Sequence, residues 1–265
     1  MNLLLVEAGE VDGGRIRLDD RRAVHLRAVL RVEPGATVRA GVIGGGLAPA
    51  RVIADDGRTI DLELGAPTPA PPPMPIELVL AVPRPKVLSR AVETAAAFGV
   101  RRIDLVNAWR VDKAYLDSPR LAPADLAHHL RLGAEQGVTT HLPAVELHRR
   151  LMPFLDARFP VRAPGPAPAP PPPRLLAHAR AAVPIERAWR ELAPAGPPDD
   201  GVVVVALGPE GGWIEREVET FAGRGFAAIT LGAPVLRVEV ALAAALGQLA
   251  LLLRARDERA GAERR

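Results

Sequence analysis

In the first quarter of the chain, the short runs Arg15–Leu18, Thr37–Ile43, Arg51–Ala54 and Thr59–Leu64 alternate apolar with polar residues or carry β-branched ones. Gly13-Gly14, Pro34-Gly35, Gly44–Gly46 and Asp55-Asp56-Gly57 separate them, and this punctuation predicts a small β-barrel. One stretch breaks the alternation. Behind the capping acids Asp19 and Asp20, the residues Ala23, Leu26, Val29 and Leu30 recur at helical spacing, which predicts a helix with Arg27 and Arg31 turned elsewhere.

The segment Ala66–Pro73 has prolines at 67, 69, 71, 72 and 73, cannot donate backbone hydrogen bonds there, and predicts an extended linker. After it the rhythm changes. An apolar strand Ile76–Ala81, a helix Lys86–Phe98 stopped by Gly99 and a strand Arg102–Asn107 form a βαβ unit. A helix over Pro123–Gln136, a strand Ala144–Leu147 and a helix Leu151–Ala157 follow. A second proline tract, 163–173, predicts a solvated surface insertion. Beyond it come strand Leu175–His178, helix Ile185–Leu192, strand Val202–Leu207, helix Glu215–Gly223, strand Ala227–Leu231 and a closing helix Glu239–Arg254. The expected fold class is α/β: a β-unit over 1–70, then over 74–265 a parallel sheet with helices on both faces and its ligand at the carboxyl ends of the strands.

Composition adds constraints. A chain of 265 residues, 48% apolar and 25% charged, is globular. Without cysteine it has no disulfide, thiolate metal site or cysteine nucleophile, and cytosol is the default compartment. Leu3–Val6 has no cationic flank and is followed by Glu7, unlike a secretory leader. The longest apolar stretch, Val238–Leu253, is interrupted by Glu239 and Gln248, so no membrane crossing is expected. All but Lys86 and Lys113 of the 34 basic side chains are arginine, a bias that fits a GC-rich genome. From Arg84 to Arg150 there are 11 basic and 7 acidic side chains, and Arg84, Lys86, Arg90, Arg110 and Lys113 are candidates to meet phosphates. His25, His128, His129, His141 and His148 show no metal spacing with carboxylates, so no metal is expected.

Two stretches carry candidate chemistry. Val202–Leu207 runs into Gly208-Pro209-Glu210-Gly211-Gly212-Trp213, a glycine turn after a buried strand and before a helix opening with Glu215 and Glu217. Glycines there let a ligand approach the main chain closely, which suits a nucleotide. The second is Ile229–Leu231, a Gly232 turn, and Arg237-Val238-Glu239 at the entry to the closing helix. The two turns are expected side by side. Neither a G-x-G-x-x-G nor a phosphate-loop motif occurs.

Taken as a pair, Leu207-Gly-Pro-Glu-Gly-Gly212 and Leu231-Gly-x-x-x-Leu-Arg-x-Glu239, followed by an alanine- and leucine-rich helix, resemble the RsmE-type methyltransferases of the SPOUT class. Collinear matches are His25-Leu26 with Val29-Leu30-Arg31, Lys86, Phe98-Gly-Val100, Ala134-Glu-Gln136 and Leu176-Ala-His-Ala-Arg180. The resemblance implies S-adenosylmethionine as cofactor and N3 of a uridine in 16S ribosomal RNA, free or in the small ribosomal subunit, as methyl acceptor. It implies a PUA-like RNA-binding barrel, a trefoil-knotted second domain and a cytoplasmic homodimer packed through the helix Val240–Leu253. Under it, Arg237 and Glu239 are the catalytic candidates. Leu207, Gly208, Glu210, Gly211, Gly212, Leu231, Gly232, Val235, Leu236, Ala241 and His178 are the cofactor candidates, and Arg31 joins the RNA candidates.

This sequence departs from the family's pattern at Val238 and Val240, where threonines are usual, at Gly137–Thr140, where an arginine is usual, and at Ala97. These leave open a non-catalytic RNA-binding or ribosome-assembly protein, or a methyltransferase acting on another RNA position.

Overall fold

A computed structural model describes residues 2–161, 172–192 and 201–263. The proline tract 163–173 lies outside the described residues except for Pro172 and Pro173. The first unit holds β1 (Leu4–Val6), β2 (Val11–Asp12), β3 (Arg15–Leu18), α1 (Arg21–Ala28), β4 (Thr37–Val42), β5 (Leu47–Asp55) and β6 (Ile60–Leu64). They form a curled mixed sheet in the order β1-β4-β5-β6-β3-β2, with β1 parallel to β4 and the rest antiparallel. Alternation in β3 sends Ile16 and Leu18 inward, where they meet Leu26, Val52, Ile60 and Leu62.

The Asp20 carboxylate caps α1 by accepting from the Arg22 amide. Helical spacing predicts Val29 and Leu30 on the buried face, but α1 ends at Ala28 and both are exposed, at 63% and 44%. The chain turns instead through Arg31, in the left-handed region at φ 50°. The expected linker is pinned rather than free: Thr68 exchanges main-chain hydrogen bonds of 2.7 and 2.8 Å with Leu47.

The second unit holds β7 (Met74–Ala81), α2 (Pro85–Ala97), β8 (Val100–Val106), α3 (Pro123–Gly137), β9 (Ala144–His148), α4 (Leu151–Arg158), β10 (Arg174–Ala177), α5 (Ile185–Leu192), β11 (Val203–Leu207), α6 (Glu215–Ala222), β12 (Phe226–Ile229) and α7 (Val238–Glu263). Its sheet is wholly parallel, ordered β12-β10-β11-β7-β8-β9. Every residue of β11 is buried, which requires cover on both faces.

By length and composition α7 qualifies as a membrane span, against the expectation that none does. Its inner face, Leu242, Ala245, Leu246, Leu249 and Leu253, is nevertheless part of the core.

Two glycines set how closely α2 and α3 pack. A Cβ on Gly133 would stand 2.2 Å from the Glu93 carbonyl oxygen, and one on Gly137 2.1 Å from that of Ala97. Immediately beyond, α3 closes on Val138 in the left-handed region, φ 57°, a conformation a β-branched residue adopts only when its surroundings impose it. The surroundings here are the first unit. The carboxylate of Glu135, 2% exposed, accepts both Arg21 guanidinium N–H groups at 2.7 and 3.1 Å. Thr140 Oγ1 donates to the Gly45 carbonyl at 2.7 Å, its own carbonyl accepts from Gly44, and Leu3 and Leu5 pack on Ala134. Gly133→Ala should therefore force the helices apart and lower unfolding free energy by roughly 1–3 kcal/mol. Denaturant titration followed by circular dichroism checks this, and an unchanged midpoint would refute the close crossing.

Candidate active site

The carboxyl ends of the parallel strands carry the loops that shape a cleft of about 900 Å³. From β11 comes the turn Gly208–Gly212, from β12 the segment Thr230–Arg237, and from β10 the residues His178–Arg180. Leu207, Gly208, Glu210, Gly211, Gly212, Leu231, Gly232, Val235, Leu236, Ala241, His178, Arg237 and Glu239 all line it, as do Arg84 and Arg110. Arg31, Lys86, Arg90 and Lys113 are exposed but do not line it.

One expected juxtaposition is corrected. The turns after β11 and β12 are not immediate neighbours, because β10 lies between those strands. The end of β10 fills the interval, with the His178 amide donating to the Ile229 carbonyl at 3.0 Å.

The glycine turn is held by contacts with distant parts of the chain. The buried Glu217 carboxylate accepts from the amides of Ile214 at 3.0 Å and Trp109 at 2.8 Å, which ties the loop after β8 to the start of α6. Glu210 accepts from the Arg84 amide at 2.9 Å, and the Arg110 guanidinium donates to the Gly211 carbonyl. Gly212 sits at φ 69°, where a side chain is strained, and a Cβ on Gly208 would lie 3.2 Å from the indole of Trp213. The indole packs on Phe221 at 5.0 Å between ring centroids, as expected of a packing residue. Its buried Nε1 has no partner among the described residues.

These features suit a ligand bound through main-chain groups. The amides of Gly211, Leu231 and Leu236, all residues that line the cleft, make no hydrogen bond among the described residues and are free to donate to a polar heterocycle. Gly232, at φ 137°, is braced by hydrogen bonds exchanged with Thr230 Oγ1.

At the far wall Arg237 is exposed and Glu239 half-buried, and neither has a hydrogen bond or ion pair through its side chain among the described residues. A structural ion pair between them is therefore not formed. Val238, 6% exposed, packs in the core and also lines the cleft, whereas Val240 is exposed at 47% on the outer side of α7 and does not line it. Thr139 and Thr140 lie at the junction with the first unit, where Thr139 Oγ1 accepts from the His141 amide, and neither lines the cleft.

Arg180, Trp109 and the bridging role of Glu217 escaped the sequence reading. Arg180 closes the segment Leu176–Arg180, whereas Glu217 and Trp109 are 108 residues apart and share no local pattern. The expectation about histidines is also corrected: His148 gathers with Asp104 and Glu146 within 4.8 Å. Arg102 bonds both carboxylates and His148 Nε2 lies 2.8 Å from Asp104 Oδ1, so the group is satisfied as an ion network on β8 and β9.

Comparison with known proteins places this geometry. The chain is 28% identical over 248 residues to ribosomal RNA small subunit methyltransferase E of Treponema pallidum, covering 92% of this chain and 89% of that one. It is 24% identical to ribosomal RNA small subunit methyltransferase E 1 of Borreliella burgdorferi, covering 92% and 95%. A crystal structure of a ribosomal RNA small subunit methyltransferase E from Neisseria gonorrhoeae, bound to S-adenosyl methionine, shares the fold with a TM-score of 0.70 at 22% identity, covering 95% and 98%. A Legionella pneumophila methyltransferase in complex with the same cofactor gives 0.71 at 21%, covering 94% and 96%. The family described as RNA methyltransferase domain matches residues 70–250, which span both glycine turns and the first half of α7, and the chain belongs to that family, among the RsmE-type RNA methyltransferases.

Proposed function

We propose that this chain transfers the methyl group of S-adenosylmethionine to N3 of a uridine in 16S ribosomal RNA. The observation that carries the reading is the cleft itself: two glycine turns with main-chain amides that are unbonded among the described residues, and Arg237 and Glu239, whose side chains pair with none of those residues, at its edge. Leu207–Gly212, Leu231–Leu236, His178 and Ala241 would hold the cofactor, which supplies an electrophilic methyl group. That the Neisseria and Legionella proteins were solved with this cofactor supports the assignment.

The acceptor nitrogen of a uracil carries a weakly acidic proton, so the protein must favour the deprotonated imide and hold N3 in line with the methyl group. Arg237 stabilises the negative charge that develops on a uracil oxygen. Glu239 is the better proton acceptor, because Glu210 is already engaged by the Arg84 amide. The N3 lone pair then forms the new bond to carbon, and the departing sulfur keeps the electrons of the bond that breaks.

The non-catalytic alternative drew on the altered residues at Gly137–Thr140 and at Val238 and Val240. The first group belongs to the junction between units and Val240 faces outward on α7, while Val238 packs in the core and also lines the cleft. With Val238 the one residue of that set at the cleft, the catalytic reading is the stronger.

The same proposal covers the wider assembly. The curled first sheet is assigned as a PUA-like RNA-binding barrel over 1–70, with Arg31 on its RNA face. The unit 74–265 is assigned as a trefoil-knotted SPOUT domain. The exposed cations Arg84, Lys86, Arg90, Arg110 and Lys113 would meet RNA phosphates, and the protein would work in the cytoplasm without a metal. It would act as a homodimer through the outer face of α7, where Val240, Ala243, Gly247 and Leu251 are exposed at helical spacing.

Methyl transfer from labelled S-adenosylmethionine to small ribosomal subunits lacking the modification should yield 3-methyluridine on digestion and mass analysis. A different methylated nucleoside, or none, would overturn the assignment. Arg237→Ala should lower kcat by roughly 100- to 1,000-fold while cofactor binding persists. Leu251→Arg should convert the dimer to monomer in light scattering, and a dimer that survives would exclude this face.

A further inference from the structure

The chain has nine aromatic side chains apart from histidine, and eight of them are buried or half-buried. Trp109 alone is exposed, at 79%. Its backbone is nonetheless fixed. The Trp109 amide donates to the buried Glu217 carboxylate at 2.8 Å, Ala108 before it is buried, and the Val111 amide closes a turn on the Ala108 carbonyl at 3.0 Å. A large apolar ring is thus held out into solvent by a rigid loop, with its position set in advance.

Its surroundings say what would cover it. The next residue, Arg110, lines the cleft and donates to the Gly211 carbonyl. Arg84, Arg180 and Arg237 are the other cations lining that cleft, and all four arginines are exposed. An exposed ring whose neighbour in the chain is one of these cleft arginines matches a ligand that presents both flat π-faces and negative charge, as a single-stranded nucleic acid does. A protein partner would call for neighbouring exposed apolar residues, and the residues flanking Trp109 in the chain are a buried alanine and a charged arginine.

We infer that Trp109 is a stacking platform for a base of the RNA substrate next to the one that enters the cleft. This rests on the assignment of the chain as an RNA methyltransferase and adds a substrate-positioning residue to it. Trp109 touches neither the reacting atoms nor the cofactor, so it governs RNA affinity and the register in which the strand is presented.

The test compares Trp109→Ala with Trp109→Phe. Binding of a 16S ribosomal RNA transcript is measured by filter retention at several salt concentrations, S-adenosylhomocysteine binding by calorimetry, and oligomeric state by light scattering. Trp109→Ala should weaken RNA binding by roughly 5- to 100-fold, the range for loss of one base–aromatic stack. The dependence of affinity on salt should keep its slope, because no phosphate contact is removed, whereas Lys113→Ala should reduce that slope by about one. Trp109→Phe should recover most of the affinity, and S-adenosylhomocysteine binding should be unchanged in both. RNA affinity unaltered in Trp109→Ala would overturn the inference. So would dissociation of the oligomer in that variant, which would make Trp109 a subunit contact. Because RNA binding, cofactor binding and assembly are read separately, failure of this inference is distinct from failure of the methyl-transfer assignment.

Discussion

The cleft depends on one buried carboxylate. Glu217 stands in the first turn of α6 and accepts two amides, one from the start of its own helix and one from the loop after β8. A buried carboxylate is tolerated only when its oxygens are satisfied, so the two loops cannot separate without stranding it. The glycine turn between β11 and α6 is thereby fixed against Arg110, and the Gly211 amide within it makes no hydrogen bond among the described residues. A site that works through its backbone needs this kind of external bracing, since glycine supplies none of its own.

A second ionic anchor sets the relation between the two units. Glu135 is brought to the first unit because Gly133 and Gly137 let α3 lie close on α2, and Arg21 then neutralises it at the junction. The left-handed Val138 is held in place by the same contacts, with Thr140 bonded to the turn between β4 and β5. The curled sheet is fixed against the parallel one, so an RNA touching Arg31 and the cleft together would meet a surface of defined geometry.

Much of the fold is legible in the sequence because its elements are short and sharply punctuated. Alternation in Arg15–Leu18, Pro85 and Gly99 bounding α2, and the valine run of β11 each encode a local structure by local means. Where local rules compete the reading slips. Val29 and Leu30 keep the helical spacing of Ala23 and Leu26, yet the chain leaves the helix before them. The cleft residues were recovered because the two glycine turns are contiguous motifs. The order of strands was not: that β10 separates the two turns follows from tertiary pairing. Glu217, Trp109, the Asp104–His148 network and the glycine crossing of α2 on α3 all rest on contacts between distant segments, which no periodicity records.

If the main chain of the two glycine turns holds the cofactor, S-adenosylhomocysteine should slow exchange of their amides, which hydrogen–deuterium exchange with and without that ligand measures. New protection should appear at 178–180, 207–212 and 231–241, including the amides of Gly211, Leu231 and Leu236, with the first unit unchanged. Protection outside these segments, or none at saturating ligand, would show that the cofactor is held elsewhere.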